Sequence, residues 1–234
     1  NLTIEAAREL VSIAIAEGGA RVFKEVNASG NIPPEEIPEW KMAEDVMAAA
    51  VMTTIVFCDG GRRAVVSQNG DTRCYLYSGG ELILLIDDQD AVTADIAKGV
   101  LTEEEAFAIG EELDGFDGYD VSKLSQVARR YFAVRYLTAG QLGDSEVATP
   151  PVFSTIKLQP GDTLVLTSDG VHDNLSTSEI RAALQAIDPA ATLVDRADAR
   201  SGERNLPDPA NPNAPYNYRA HMDDATALIV TIEW

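Results

Sequence analysis

The sequence predicts an α+β fold. Three observations predict it: a helical period at the start, a central run of short β-branched segments divided by tight turns, and a second half that mixes strands with helices. That order suits a layered architecture. A parallel doubly wound sheet would need strand and helix to alternate throughout.

Residues 3–25 carry Ile4, Ala7, Val11, Ile15 and Val22 at helical spacing and read as an amphipathic helix. Thr3 is followed at Ala6 by no Glu or Gln, so the capping box is absent. Asn27–Pro38 is a loop, broken by Gly30, Pro33, Pro34 and Pro38. A second helix is expected from Trp40 to Ala50. The period then changes. Thr53–Cys58, Ala64–Ser67, Cys74–Tyr77 and Leu82–Ile86 are short strands, separated by Asp59-Gly60-Gly61, Asn69-Gly70-Asp71 and Gly79-Gly80. Turns at such close intervals predict an antiparallel meander. Residues 91–113 and 120–136 read as helical or irregular. Val152–Leu158 and Thr163–Thr167 are expected to form a hairpin across Pro160-Gly161-Asp162. Ser176 and Glu179 make a capping box ahead of a helix Ile180–Ile187. A further helix covers Ala190–Asp198. Pro207, Pro209, Pro212 and Pro215 forbid regular structure over residues 202–220, and Ala225–Ile232 is the last strand.

At 234 residues the chain reads as one domain, residues 1–234, large enough to bury a core without staples. Net charge is −20, from 38 acidic and 18 basic residues. That sign excludes a nucleic-acid backbone or an anionic membrane as partner. No apolar run is long enough to cross a bilayer, and Asn1–Glu5 has no basic start of the kind that opens a leader. A soluble, cytoplasmic protein is expected. Cys58 and Cys74 lie on neighbouring expected strands. They read as two buried small hydrophobes, since two thiols make no disulfide framework and neither histidine is near them.

Two segments carry chemistry. An apolar strand ends at Ser168 and Asp169-Gly170 follows at once. A carboxylate at a strand end, with glycine behind it, projects where a backbone can approach closely. Asp223-Asp224 stands directly before the final strand, so two strand ends can bring Asp169 and Asp223 to one rim. Paired carboxylates suit hard cations such as Mg²⁺ or Mn²⁺. Singly, each has a plainer reading: Ser-Asp-Gly is a common turn, and paired acids often guard a strand edge.

Together the ordered segments resemble the metal-dependent serine/threonine protein phosphatases of the type 2C (PPM) family. Ser168-Asp169-Gly170-Val171-His172-Asp173, followed by Leu175-Ser176 and a helix, is similar to that family's strand–Ser-Asp-Gly–helix motif. Pro160-Gly161-Asp162 matches its upstream hairpin. Asp223-Asp224-Ala225-Thr226 resembles the closing Asp-Asn-x-Thr, with Asp224 for Asn. Gln68–Arg73 resembles Val-Gly-Asp-Ser-Arg with Thr72 for Ser, and Thr53-Thr54 resembles Gly-Thr-Thr with Met52 for Gly. Gly99–Glu105 resembles a Gly-x-Ile-Thr-x-Glu-Glu segment, and Ala139–Gly143 loosely matches Arg-Ala-Leu-Gly.

The resemblance implies a four-layer α-β-β-α sandwich of two antiparallel sheets flanked by helices, with residues 88–145 as a flap beside the cleft. It implies two or more Mn²⁺ or Mg²⁺ ions and a phosphoserine or phosphothreonine protein as substrate. It implies that Asp169 and Asp223 are metal ligands, with Asp88 at the position of an extra ligand found in some members, although Gln89 stands where His is usual. No catalytic side chain beyond the metal ligands is assigned. His172 and His221 are read as loop residues or as supports behind the acids, Asp71 and Arg73 as fixing a hairpin, and Arg129, Arg130 and Arg135 as helix surface. The family's bridging Asp, a Gly carbonyl ligand and a phosphate-binding Arg precede its first long helix and are missing from this sequence, so the chain is expected to be either a piece of a complete enzyme or a degenerate member. Two functional expectations follow: a phosphatase, or a degenerate phosphatase-like domain that binds or regulates a partner protein.

Overall fold

Strands β2 (Arg63–Asn69), β3 (Arg73–Ser78) and β6 (Thr163–Thr167) are apolar at successive positions, not at alternate ones. A strand of that kind needs cover on both faces. The computed structural model shows how each face is covered. It describes residues 2–22, 24, 50–89, 95–96, 98–102, 105–106, 109, 125, 128, 150–202 and 223–233.

Two antiparallel sheets stack face to face. One has the order β1-β2-β5, with β1 at Met52–Cys58 and β5 at Val152–Lys157; the other has the order β4-β3-β6-β7, with β4 at Glu81–Leu84 and β7 at Ala227–Thr231. Between the sheets lie Ala64, Val66, Cys74, Leu158, Leu164 and Ile232. On the outer face of the first sheet, helix α1 (Ile4–Val22) seats Ala7, Val11 and Ile15 against Val56, Val65 and Phe153. On the outer face of the second, Tyr75 and Val165 meet Val171, Leu175, Ile180, Ala183, Leu193 and Ala197. Apart from Leu175, which lies in the link between the first two, those residues come from helices α2 (Asp169–His172), α3 (Thr177–Ala183) and α4 (Pro189–Ser201). The order is therefore helix, sheet, sheet, helix, as expected. Full burial of each large side chain, such as Leu164 or Tyr75, contributes about 1.5–3 kcal/mol. Among the described residues no helix is long and apolar enough to cross a membrane.

The helix starts follow local chemistry. Thr3 Oγ1 accepts from the Ala6 N–H, so α1 is capped without a box. Ser176 and Glu179 form the expected reciprocal pair at α3. That helix ends at Ala183, earlier than expected, where the Gln185 and Ala186 N–H groups bond three residues back rather than four; Asp188, held extended ahead of Pro189, caps α4. Both cysteines are buried and free, and burial pushes the Cys74 thiol up to about 12.

Two expected hairpins are not hairpins. Asn69-Gly70-Asp71 does not return β2 beside β3, and Pro160-Gly161-Asp162 does not return β5 beside β6. Each carries the chain from one sheet to the other. β2 pairs with β5 and β3 pairs with β6, so the two connections stack as arches. Doubly apolar strands force this, because the reversal gives each strand a sheet on its inner face and helices on its outer one. Arg73 accordingly fixes no hairpin.

The first arch depends on Gly70. Its φ is +93°, and a β-carbon there would stand 2.2 Å from Val51 Cγ1. Its N–H donates to Gln89 Oε1, and its carbonyl accepts from the Gln89 N–H and from Gln68 Nε2. Gly70→Ala should therefore lose about 2–4 kcal/mol, from left-handed strain and overpacking together. Urea unfolding of the variant, with an unchanged slope, measures it.

Residues 40–49 of the expected second helix, most of the flap at 88–145 and most of the Pro-rich 202–220 segment lie outside the described residues, as do Arg129, Arg130, Arg135, Ala139–Gly143 and His221; Ala50, where that helix was expected to end, makes a β-bridge instead.

Candidate active site

The end of β6 and the start of β7 lie side by side. Their antiparallel register pairs Thr167 with Ala227 and continues one step, where the Ser168 N–H donates to the Thr226 carbonyl. Ser168 occupies the cap position of α2 but does not cap it. Its hydroxyl instead accepts from the Thr226 N–H at 2.9 Å and donates to the Asp224 carbonyl at 3.3 Å. That hydroxyl stitches one acid-bearing segment to the other.

Gly170 completes the contact. A β-carbon at Gly170 would stand 2.4 Å from the Asp224 carbonyl oxygen and 2.8 Å from its carbon. Only glycine allows the two backbones to come this close. Asp169 and Asp223 therefore leave adjacent backbone segments at one rim of the second sheet. Asp169 Oδ1 accepts from the Gly170 N–H at 2.8 Å, and Asp223 Oδ1 accepts from the Asp224 N–H at 2.7 Å. The second oxygen of each makes no hydrogen bond among the described residues. Hard, partly solvated carboxylate oxygens of this kind fit a divalent ion. Among the described residues no set of three or more His, Cys, Asp or Glu gathers as a metal cluster.

Asp88 is placed differently. Arg73 Nε donates to both Asp88 oxygens at 3.0 Å, and Arg73 Nη2 donates to Oδ2 at 2.5 Å. The Asp88 side chain is 8% exposed. Burial works against the Arg73 charge, but the bonds to Asp88 prevail and hold the guanidinium well above its ordinary range. Gln89, where the resemblance has His, is the clamp on Gly70 described above.

Around the acids sits a buried scaffold. His172 Nδ1 shares a hydrogen bond with Thr167 Oγ1 at 2.9 Å, and the ring is also bonded to the backbone of Asp71. It ties α2 to the end of β6 and to the first arch. Burial drives its pKa down to about 2, and the Arg73 charge pushes the same way. His172 is therefore a neutral strut. Asn174, fully buried, donates from Nδ2 to the Gly170 carbonyl, and Arg200 donates to the Asn174 carbonyl and to Glu179. In the sequence Ser168 stands out only as part of a motif, and Asn174 does not stand out at all. The serine immediately before Asp-Gly was the available signal for the stitch, and Asn174 offered none.

The His172 pKa sets a sign. The folded ring stays neutral while the unfolded one takes a proton below pH 6.5, so the stabilisation is present above 6.5 and lost as pH falls. Stability should drop by about 2 kcal/mol between pH 6.5 and pH 5 from this group alone. His172→Gln should lose that component of the slope, measurable by urea midpoints at the two pH values.

None of the known protein-family models matches the sequence, and no curated protein does. Solved structures do match. The S. agalactiae serine/threonine phosphatase superposes with a TM-score of 0.65 at 17% identity, covering 99% of this chain and 74% of that one. Stp1, the serine/threonine phosphatase of Staphylococcus aureus, gives 0.66 at 15% identity, over 100% and 71%. The catalytic domain of the serine/threonine protein phosphatase PstP, in complex with two manganese ions, gives 0.57 at 20% identity, over 94% and 68%.

Proposed function

We propose that this chain, which has the fold of the PPM-type serine/threonine phosphatases, is itself a metal-dependent protein phosphatase acting on phosphoserine and phosphothreonine. One observation carries the reading. The chain brings two acid-bearing strand ends so close at Gly170 and Asp224 that no β-carbon fits between them. A turn and an edge guard, read separately, need no such approach. A shared ligand site does.

In this reading Asp169 and Asp223 hold Mn²⁺ or Mg²⁺. Such an ion supplies Lewis acidity, which lowers the pKa of water and offsets phosphoryl charge. The chain's own residues supply position. Ser168 sets the spacing of the two segments, and the hydrogen bonds to Gly170 and Asp224 N–H groups fix one oxygen of each carboxylate. Neutral His172 and buried Asn174 hold the strand-to-helix corner that bears Asp169. The similar structures are serine/threonine phosphatases, which supports that substrate class, and a cytoplasmic setting is part of the same proposal.

The test is phosphate release from a phosphothreonine peptide by the full-length protein. Release that requires Mn²⁺ and stops on chelation is the expected result. Hydrolysis indifferent to the metal, or none in its presence, would sink the reading.

A further inference from the structure

We propose that Asp88 is the counter-ion of Arg73 and not a metal ligand, so that a guanidinium fills in this chain the role an extra divalent ion would have there. The inference rests on the phosphatase reading for its metal site, and departs from the expectation that Asp88 joins it. A carboxylate ligand must offer an oxygen to the ion. Both Asp88 oxygens accept from the Arg73 fork, in the bidentate geometry that arginine makes best, and a third contact closes it. The side chain is nearly sealed from water. A second cation beside the guanidinium would face like charge at short range with little solvent to screen it.

The pair has a mechanical role. Asp88 lies three residues past Leu85, whose N–H donates to the Cys74 carbonyl beyond the end of β4. Gln68 Nε2 donates to the Asp87 carbonyl, and Gln89 clamps Gly70 from both sides. With Arg73 on β3, these bonds pin residues 85–89 across the first arch, close to His172, whose pKa the Arg73 charge lowers. Asp88 is thus a positioning residue: it anchors the point where the chain departs into residues 90–149, beside the strand-to-helix corner that carries Asp169. Removing either partner alone strands a buried charge, whereas exchanging both for apolar groups does not.

The test counts Mn²⁺ on the full-length protein by electron paramagnetic resonance and equilibrium dialysis, with thermal melting alongside. Asp88→Asn should bind the same number of ions within about twofold of the wild-type affinity and melt lower, with or without Mn²⁺. The double variant Arg73→Met, Asp88→Leu should recover the melting temperature and keep the ion count. It keeps the question decidable should Asp88→Asn not fold. Loss of one ion, or weakening by about 10-fold or more, the least that loss of even an outer partner of a bound ion costs, overturns the proposal. A wild-type protein that binds no Mn²⁺ overturns the phosphatase reading itself, and this inference with it.

Discussion

Gly170→Ala should weaken Mn²⁺ binding about 100-fold and lower stability by about 2 kcal/mol, an effect out of proportion to one methyl group. Helix propensity alone predicts the opposite sign, since alanine exceeds glycine by about 1 kcal/mol within a helix. The φ of Gly170 is not in the left-handed region, so backbone strain plays no part. What decides is the Asp224 carbonyl, 2.4 Å from the added carbon and part of a backbone. To clear it, the Asp223–Thr226 segment must retreat by about 1 Å, and the Ser168 stitch goes with it. Misplacement of that order costs about 100-fold at a preorganised site. Calorimetric titration with Mn²⁺ and a thermal melt measure the two effects. Gly202→Ala is the control, because its β-carbon would meet the Ala199 carbonyl at an ordinary 3.5 Å and φ is −65°. A silent Gly170→Ala would separate the two aspartates in function.

Asp169→Asn and Asp223→Asn should show the complementary split. Each keeps an oxygen to accept from the following N–H, and each removes a charge from an acid-rich rim. Stability should stay within about 0.5 kcal/mol, as for a surface change. Mn²⁺ affinity should fall more than about 100-fold, beyond what loss of an outer-shell partner causes. Metal-dependent phosphate release should fall to background. The double variant should be little worse than either single one, because residues acting on one ion are not additive. Equal loss of stability and affinity would instead mark the acids as structural.

Much of the fold was legible. Thr163–Thr167, the capping box at Ser176 and the stripe on α1 each follow from a few adjacent residues, and each stands where expected. The arches were not legible from their turn residues. Asn69-Gly70-Asp71 and Pro160-Gly161-Asp162 announce a change of direction, and the same chemistry serves a hairpin or a step between sheets. The decisive clue was in the flanks, where Ala64-Val65-Val66 and Leu164-Val165-Leu166 leave no polar face.

The strand-end placement of Asp169 and Asp223 was legible, because each stands beside a break in the apolar pattern. Their adjacency depended on which strands pair, which no local pattern states. The Arg73–Asp88 pair is likewise non-local: two charges read apart, one as fixing a hairpin and the other as an extra metal ligand, meet only after β4 has turned back along β3. His172 read as a loop or supporting residue, with nothing local to fix its protonation. Its burial beside Arg73 makes it inert near neutral pH, and burial is a tertiary property.

The stacked arches also dictate an order of assembly. Ala64 must wait for Ile156, and Cys74 for Leu166, before either sheet gains its central pairing. During synthesis β1 and β2 emerge with one flank open, and the partner strands leave the ribosome only after a long intervening stretch. Closing such distant loops is slow, and an unpaired apolar edge is adhesive while it lasts. Refolding yield should therefore be set by dilution, with the early hairpin as the aggregating species.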